Sequence, residues 1–115
     1  RDVPQRLYRV PLSARQGDGI VVAEYVTTLP ELSAQATGLD IAPDGRSVAV
    51  LTYKGLYVWD HAHGEPWTAV FARAPLRTEL PPMSKAEAMA FGHEPDTVYV
   101  GSERHPTPLV LISLR

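Results

Sequence analysis

The chain reads as an all-β protein of short antiparallel strands, and three observations carry that reading. Between Thr37 and Asp60 the sequence TGLDIAPDGRSVAVLTYKGLYVWD holds three strand-like runs separated by two tight turns. The pattern returns fifty residues on, where Thr37–Tyr53 falls without a gap on Glu87–Glu103, EAMAFGHEPDTVYVGSE. A third strand follows each hairpin, Leu56-Tyr57-Val58-Trp59 in one copy and Leu109-Val110-Leu111-Ile112 in the other.

The elements follow in order. Arg1–Gln5 is a lead-in, and Leu7-Tyr8-Arg9-Val10-Pro11 shares its Leu-Tyr pair and its alternation with Leu56–Asp60. Ser13–Gly19 is a polar turn closed by Gly17-Asp18-Gly19, a hairpin signal. Ile20–Leu29 is a β-branched run that makes an outer strand. Pro30–Ala36 connects, and its Glu31, Leu32, Ala34 and Ala36 permit one helical turn. Thr37–Ala42 alternates, and Pro43-Asp44-Gly45-Arg46 turns the chain because Pro presets φ and Gly supplies a positive φ. Ser47–Tyr53 is dense in apolar and β-branched residues, Lys54-Gly55 turns again, and Leu56–Asp60 follows. His61–Pro66 forms the next turn, Trp67–Ala72 the outer strand, and the Pro-rich Arg73–Ser84 a coil that crosses to the next unit. Ser84-Lys85-Ala86-Glu87 fits a helix capping box, which on local propensity predicts a helix over 85–91. The gapless match to Thr37–Tyr53 outweighs it and predicts a strand.

The bulk properties set limits. The chain has 115 residues, a net charge of −2 and no Cys, so it is a single-domain length with neither disulfides nor thiolate metal sites. Near-neutral charge without a Lys/Arg run argues against nucleic acid as a partner. No apolar stretch nears the roughly 20 residues that span a bilayer, which argues against a membrane partner. The chain opens on Arg1 and not Met, which suggests a processed product or a segment of a longer chain. A leader removed ahead of Arg1 would place it in the bacterial periplasm or outside the cell.

Repeats of roughly 40–50 residues made of short antiparallel strands are the pattern of propeller blades. With a the innermost strand and d the outermost, residues 1–30 supply strands c and d, 37–72 supply a to d, and 86–115 supply a to c. The expected fold is a β-propeller fragment of about two four-stranded blades plus one extra strand. A blade buries both faces against its neighbours, so such a fragment leaves two apolar faces open. It would close by homo-oligomerisation or with the remainder of a longer propeller chain.

The motifs carry a resemblance. Pro43-Asp44-Gly45 before an apolar strand resembles the turn of bacterial Pro-Asp-Gly propeller repeats, and Leu56–Asp60 resembles the Trp-Asp ending of WD repeats, without their Gly-His. Thr37-Gly38, Pro43-Asp44-Gly45, Thr52-Tyr53, Glu87-Ala88 and Ser102-Glu103 together resemble bacterial six-bladed propellers of the phytase-like and esterase-like families, over roughly Leu7–Leu114. Those families imply calcium held by channel-facing acidic residues and a hydrolase acting on phosphate or ester substrates.

The chain's own residues suggest one rim site. The start of strand a and the end of strand b share one edge of a hairpin, which brings Glu87 near Glu103. Two acceptor-only carboxylates repel unless a cation or a shared proton intervenes. Oxygen ligands of this kind suit Ca²⁺, and Asp40 joins them if its side chain faces the channel. Thr37 and Tyr53 hold the equivalent places in the first copy and suit ligand orientation. The structural alternative has Glu87 capping a turn and Glu103 pairing with Arg104 or another surface base. His61-Ala62-His63 is a weak transition-metal pair in an exposed turn. No Gly-x-Ser-x-Gly elbow and no phosphate-binding Gly-rich loop occurs. The function classes are therefore an assembly module, a calcium-dependent phytase-like or esterase-like hydrolase segment, and a non-catalytic ligand-binding propeller.

Overall fold

A computed structural model describes residues 4–11, 19–32, 34–103 and 109–114. Among them, β-branched and apolar runs punctuated by Gly, Pro and Asp turns form a mostly β chain of antiparallel sheets that do not close on themselves. The first sheet pairs β1 (Arg6–Arg9) with β2 (Glu24–Thr28). The second has the order β3 (Ala36–Ile41), β4 (Ser47–Thr52), β5 (Leu56–Asp60), β6 (Leu76–Thr78). The third runs β7 (Ala86–Phe91), β8 (Thr97–Ser102), β9 (Leu109–Ser113).

Turn chemistry sets the registers. Gly45 takes φ +75° and the Asp44 carboxylate accepts Arg46 N at 2.9 Å, so the turn closes and Ile41 faces Val48. In the third sheet Asp96 supplies the left-handed residue at φ +58°, and Phe91 faces Val98. Both hairpins carry an irregularity at the matching place, Ala36/Gly38 in one and Ala86/Ala88 in the other. Their partners therefore stand in the same register, fifty residues apart.

Successive side chains of a strand point to opposite sides, and β4 and β5 are buried on both, while Leu39 and Ile41 of β3 and Leu76 of β6 stay exposed. Val48, Val50, Tyr57 and Trp59 pack with Leu29, Val70 and Phe71, with Leu7 of the first sheet against them. Ala49, Leu51, Leu56 and Val58 pack with Ala86, Val98, Val100 and Ile112 of the third sheet. The three sheets thus lie in series with β4 and β5 at the centre.

Two expectations are corrected. Trp67–Ala72, expected as an outer strand, is the helix α1. Trp67, Val70 and Phe71 recur at helical spacing, and Pro66 precedes the helix as its N-cap in an extended conformation. Phe71 meets Trp59 edge-on at 4.9 Å, and Trp59 Nε1 donates to Arg73 O at 2.9 Å, which docks α1 on the central sheet. Arg73 also pairs with Glu65 and donates to Asp60 O at 2.6 Å. The fourth strand is instead Leu76–Thr78, inside the segment read as coil, so the four-stranded sheet takes residues 36–78 where 37–72 was expected. No helical turn occurs among the described residues of 30–36. Over Ala86–Phe91 the chain is extended: Lys85 takes φ +49°, and β8 pairing outweighs the local helix signal. Most of the expected Ser13–Gly19 turn lies outside the described residues.

Candidate functional site

β3 and β7 are edge strands of different sheets that lie against each other. Edge strands expose unpaired backbone groups, and these two satisfy some of theirs through side chains. Thr37 Oγ1 donates to Ala86 O at 2.8 Å, near one end of the seam. At the other end Phe91 N donates to Asp40 Oδ2 at 2.9 Å, while Asp40 Oδ1 accepts Ile41 N at 2.9 Å. Gly38 sits between them, and a Cβ there would stand 3.2 Å from Met89 Cγ, a tight contact that the Met89 side chain would have to ease.

The rim cluster lies at the Thr37 end. β7 begins beside the end of β8, with Ala86 opposite Ser102 and Glu103 N donating to Lys85 O at 3.2 Å. This brings the exposed Glu87 and Glu103 carboxyls into hydrogen-bonding contact. Tyr53, at the end of β4 in the neighbouring sheet, donates its hydroxyl to Glu87 Oε2 at 3.1 Å.

The electrostatics follow from that contact. The hydrogen bond from Glu103, and then the one from Tyr53, hold Glu87 below the ordinary carboxylate range. The hydrogen bond to Glu87 and the charge on it push Glu103 above that range. Tyr53 is raised, first by its hydrogen bond to Glu87 and then by desolvation and the two carboxylates. Glu103 is therefore the later of the two to ionise.

Of the five residues singled out for ligand or metal, three come together: Tyr53, Glu87 and Glu103. Thr37 spends its hydroxyl hydrogen on the seam. Asp40 uses both carboxylate oxygens on backbone N–H groups and does not reach the pair. Among the described residues no three His, Cys, Asp or Glu side chains gather as a metal group. Two carboxylates offer about four oxygens where Ca²⁺ takes 6–8, so this donor set alone does not fit a complete calcium site.

The other sequence candidates are also placed. His61 stacks on Trp67 at 4.0 Å with Nδ1 2.7 Å from Gly45 O and Nε2 2.9 Å from Glu65 O, so its nitrogens face carbonyls and not a metal. Arg104 lies outside the described residues. Tyr57, Trp59 and Phe71 are buried in the core and Trp67 packs against it, whereas Tyr8 is half exposed. An open cleft of about 360 Å³ lies between the two hairpin turns, with Asp44, Arg46, Asp60, His93 and Glu94 among its walls. Sequence reading missed it, because it forms only where two turns distant in sequence meet.

No helix among the described residues is long and apolar enough to cross a membrane. Comparison with family models, curated proteins and solved structures found no match to this chain.

Proposed function

We propose that this chain is a propeller-type blade module that functions by assembly, stacking its open sheet ends on further sheets of the same kind. One observation carries the reading. The central strands β4 and β5 are covered on both faces, whereas their counterparts β8 and β9 present Tyr99, Leu109 and Leu111 to solvent on the outward side. Apolar sheet faces left open in this way mark interaction surfaces. The equal registers of β3–β4 and β7–β8, fifty residues apart, support a repeated unit, and three copies of about two blades each would supply six. The resemblance to bacterial six-bladed propellers belongs to the same reading. Light scattering after gel filtration tests it: the expected mass exceeds that of one chain and rises with concentration. A monomer at every micromolar concentration tried would remove self-assembly as the function.

The Tyr53–Glu87–Glu103 contact favours a second reading, a cation or polar ligand at the rim of the assembled channel. There a cation would offset the repulsion between the two carboxylates, and Ca²⁺ would draw its remaining oxygens from water or from further sheets. Calorimetry with Ca²⁺ on the wild type and on Glu87→Gln tests this, and equal heats in the two proteins would end it. A phytase-like or esterase-like hydrolase would likewise need ligands from several sheets.

A further inference from the structure

The order in which the three sheets cover one another is directional. Leu7 of the first sheet joins the cluster on the Val48, Val50, Tyr57 and Trp59 face of the second. The opposite face of that second sheet, Ala49, Leu51, Leu56 and Val58, meets Val98, Val100 and Ile112 of the third. The second sheet turns its forward face to the rear face of the third, and the first reaches the rear face of the second through Leu7, with Val70 and Phe71 of α1 sharing that junction. The register gives the equivalents: Leu56 and Val58 stand opposite Leu51 and Ala49, and Leu109 and Leu111 stand opposite Gly101 and Tyr99. The forward face of the third sheet is thus Tyr99, Leu109 and Leu111, which are 42%, 69% and 54% exposed where Ala49, Leu56 and Val58 are no more than 3%.

The rear end shows the complementary gap. Tyr8 follows Leu7 as Tyr57 follows Leu56. Tyr57 is 6% exposed in the cluster that Leu29, Val70, Phe71 and Leu7 complete, whereas Tyr8 is 50% exposed. Tyr8 packs edge-on to Tyr25 at 6.0 Å, so two aromatic rings form an apolar pad on the uncovered side of β1–β2. Val10, Ile20 and Val22 are exposed as well.

We infer that the forward face of β7–β9 in one copy docks on the Tyr8–Tyr25 face of a second copy, continuing head to tail the series of sheets already present within one chain. The inference rests on the assembly reading and names its partner surface. The interface is heterologous: two different patches meet, and each copy keeps one of each free. Such contacts make rings when the rotation per copy closes and filaments when it does not. A face-to-face dimer through Leu109 and Leu111 alone would instead pair two forward faces, an arrangement that neither sheet junction within the chain uses.

Two blocked variants test it. Tyr8→Glu/Tyr25→Glu charges the rear face, and Leu109→Glu/Leu111→Glu charges the forward face. The expected result by sedimentation is a wild type larger than one chain, each variant alone monomeric, and their equimolar mixture a one-to-one dimer that grows no further. Rear-blocked protein that still dimerises, or a mixture that stays monomeric beside an oligomeric wild type, overturns the head-to-tail contact and leaves the assembly reading standing. A monomeric wild type overturns both. The natural chain has no Cys, so Tyr8→Cys and Leu111→Cys give a second measurement if a charged variant fails to fold. Oxidation of their mixture should link the two variants while neither links to itself, and self-linking of the Leu111→Cys protein alone contradicts the proposal.

Discussion

Asp40→Asn tests the seam between the second and third sheets with almost no change in shape. Both oxygens of the Asp40 carboxylate accept backbone N–H groups, Phe91 N across the seam and Ile41 N within its own strand, each at 2.9 Å. An amide has one oxygen, so its NH₂ must face one of those N–H groups, which then loses its partner. A hydrogen bond to a charged acceptor contributes about 1.5–3 kcal/mol, and an unsatisfied buried donor costs about 1–3 kcal/mol. Asp40 is half-buried, so water recovers part of the loss and the expected destabilisation is about 1–2 kcal/mol. That lowers the folded-to-unfolded ratio by about 5- to 30-fold. The assay is urea unfolding followed by tryptophan fluorescence, since Trp59 is buried in the central sheet. The midpoint should fall with the slope unchanged, and Asp40→Ala, which removes both acceptors, should fall at least as far. An Asp40→Asn midpoint equal to wild type would refute the reasoning, because the second acceptor would then contribute nothing.

Leu51 is fully buried between the second and third sheets, and Leu51→Ala should cost about 2–5 kcal/mol in the same assay. Gly45→Ala meets no atom within 4 Å but must hold φ +75°, so its cost is backbone strain alone, about 1–2 kcal/mol, read as a lower melting temperature. Carboxyl NMR should show Glu87 titrating below and Glu103 above the ordinary range, and Glu87→Gln should return Glu103 and Tyr53 toward their usual values. The signs for stability are opposite. The lowered Glu87 contributes stability above its unfolded value that is lost as pH falls through its folded one. The raised Glu103 contributes stability below its unfolded value that is lost as pH rises through its folded one. A single shared titration at the ordinary value would contradict the contact.

Much of the β architecture was legible because period-two patterns and turn residues act locally. Pro43-Asp44-Gly45 announces a turn whatever surrounds it, and Val48–Leu51 has no good alternative to a strand. Glu87 and Glu103 were placed together for a similar reason, since hairpin register alone decides which ends meet. Trp67–Ala72 failed because six residues fit either period, and its face is chosen by Trp59 and Arg73 rather than by its own sequence. Leu76–Thr78 was hidden by its shortness between prolines. Thr37 and Asp40 look like ligand groups in the sequence because their partners, Ala86 O and Phe91 N, belong to a strand about fifty residues away. Side-chain bonds to another sheet's backbone leave no pattern in sequence.

Small-angle scattering over a concentration series tests the stacked-sheet account most directly. The single chain has a radius of gyration of 15.0 Å, larger than the roughly 13 Å of a compact domain of this length, as expected for sheets lined up in series. The account predicts a value near 15 Å at high dilution that climbs as copies add to the open ends. A radius near 13 Å at every concentration would contradict both the serial arrangement and the assembly drawn from it.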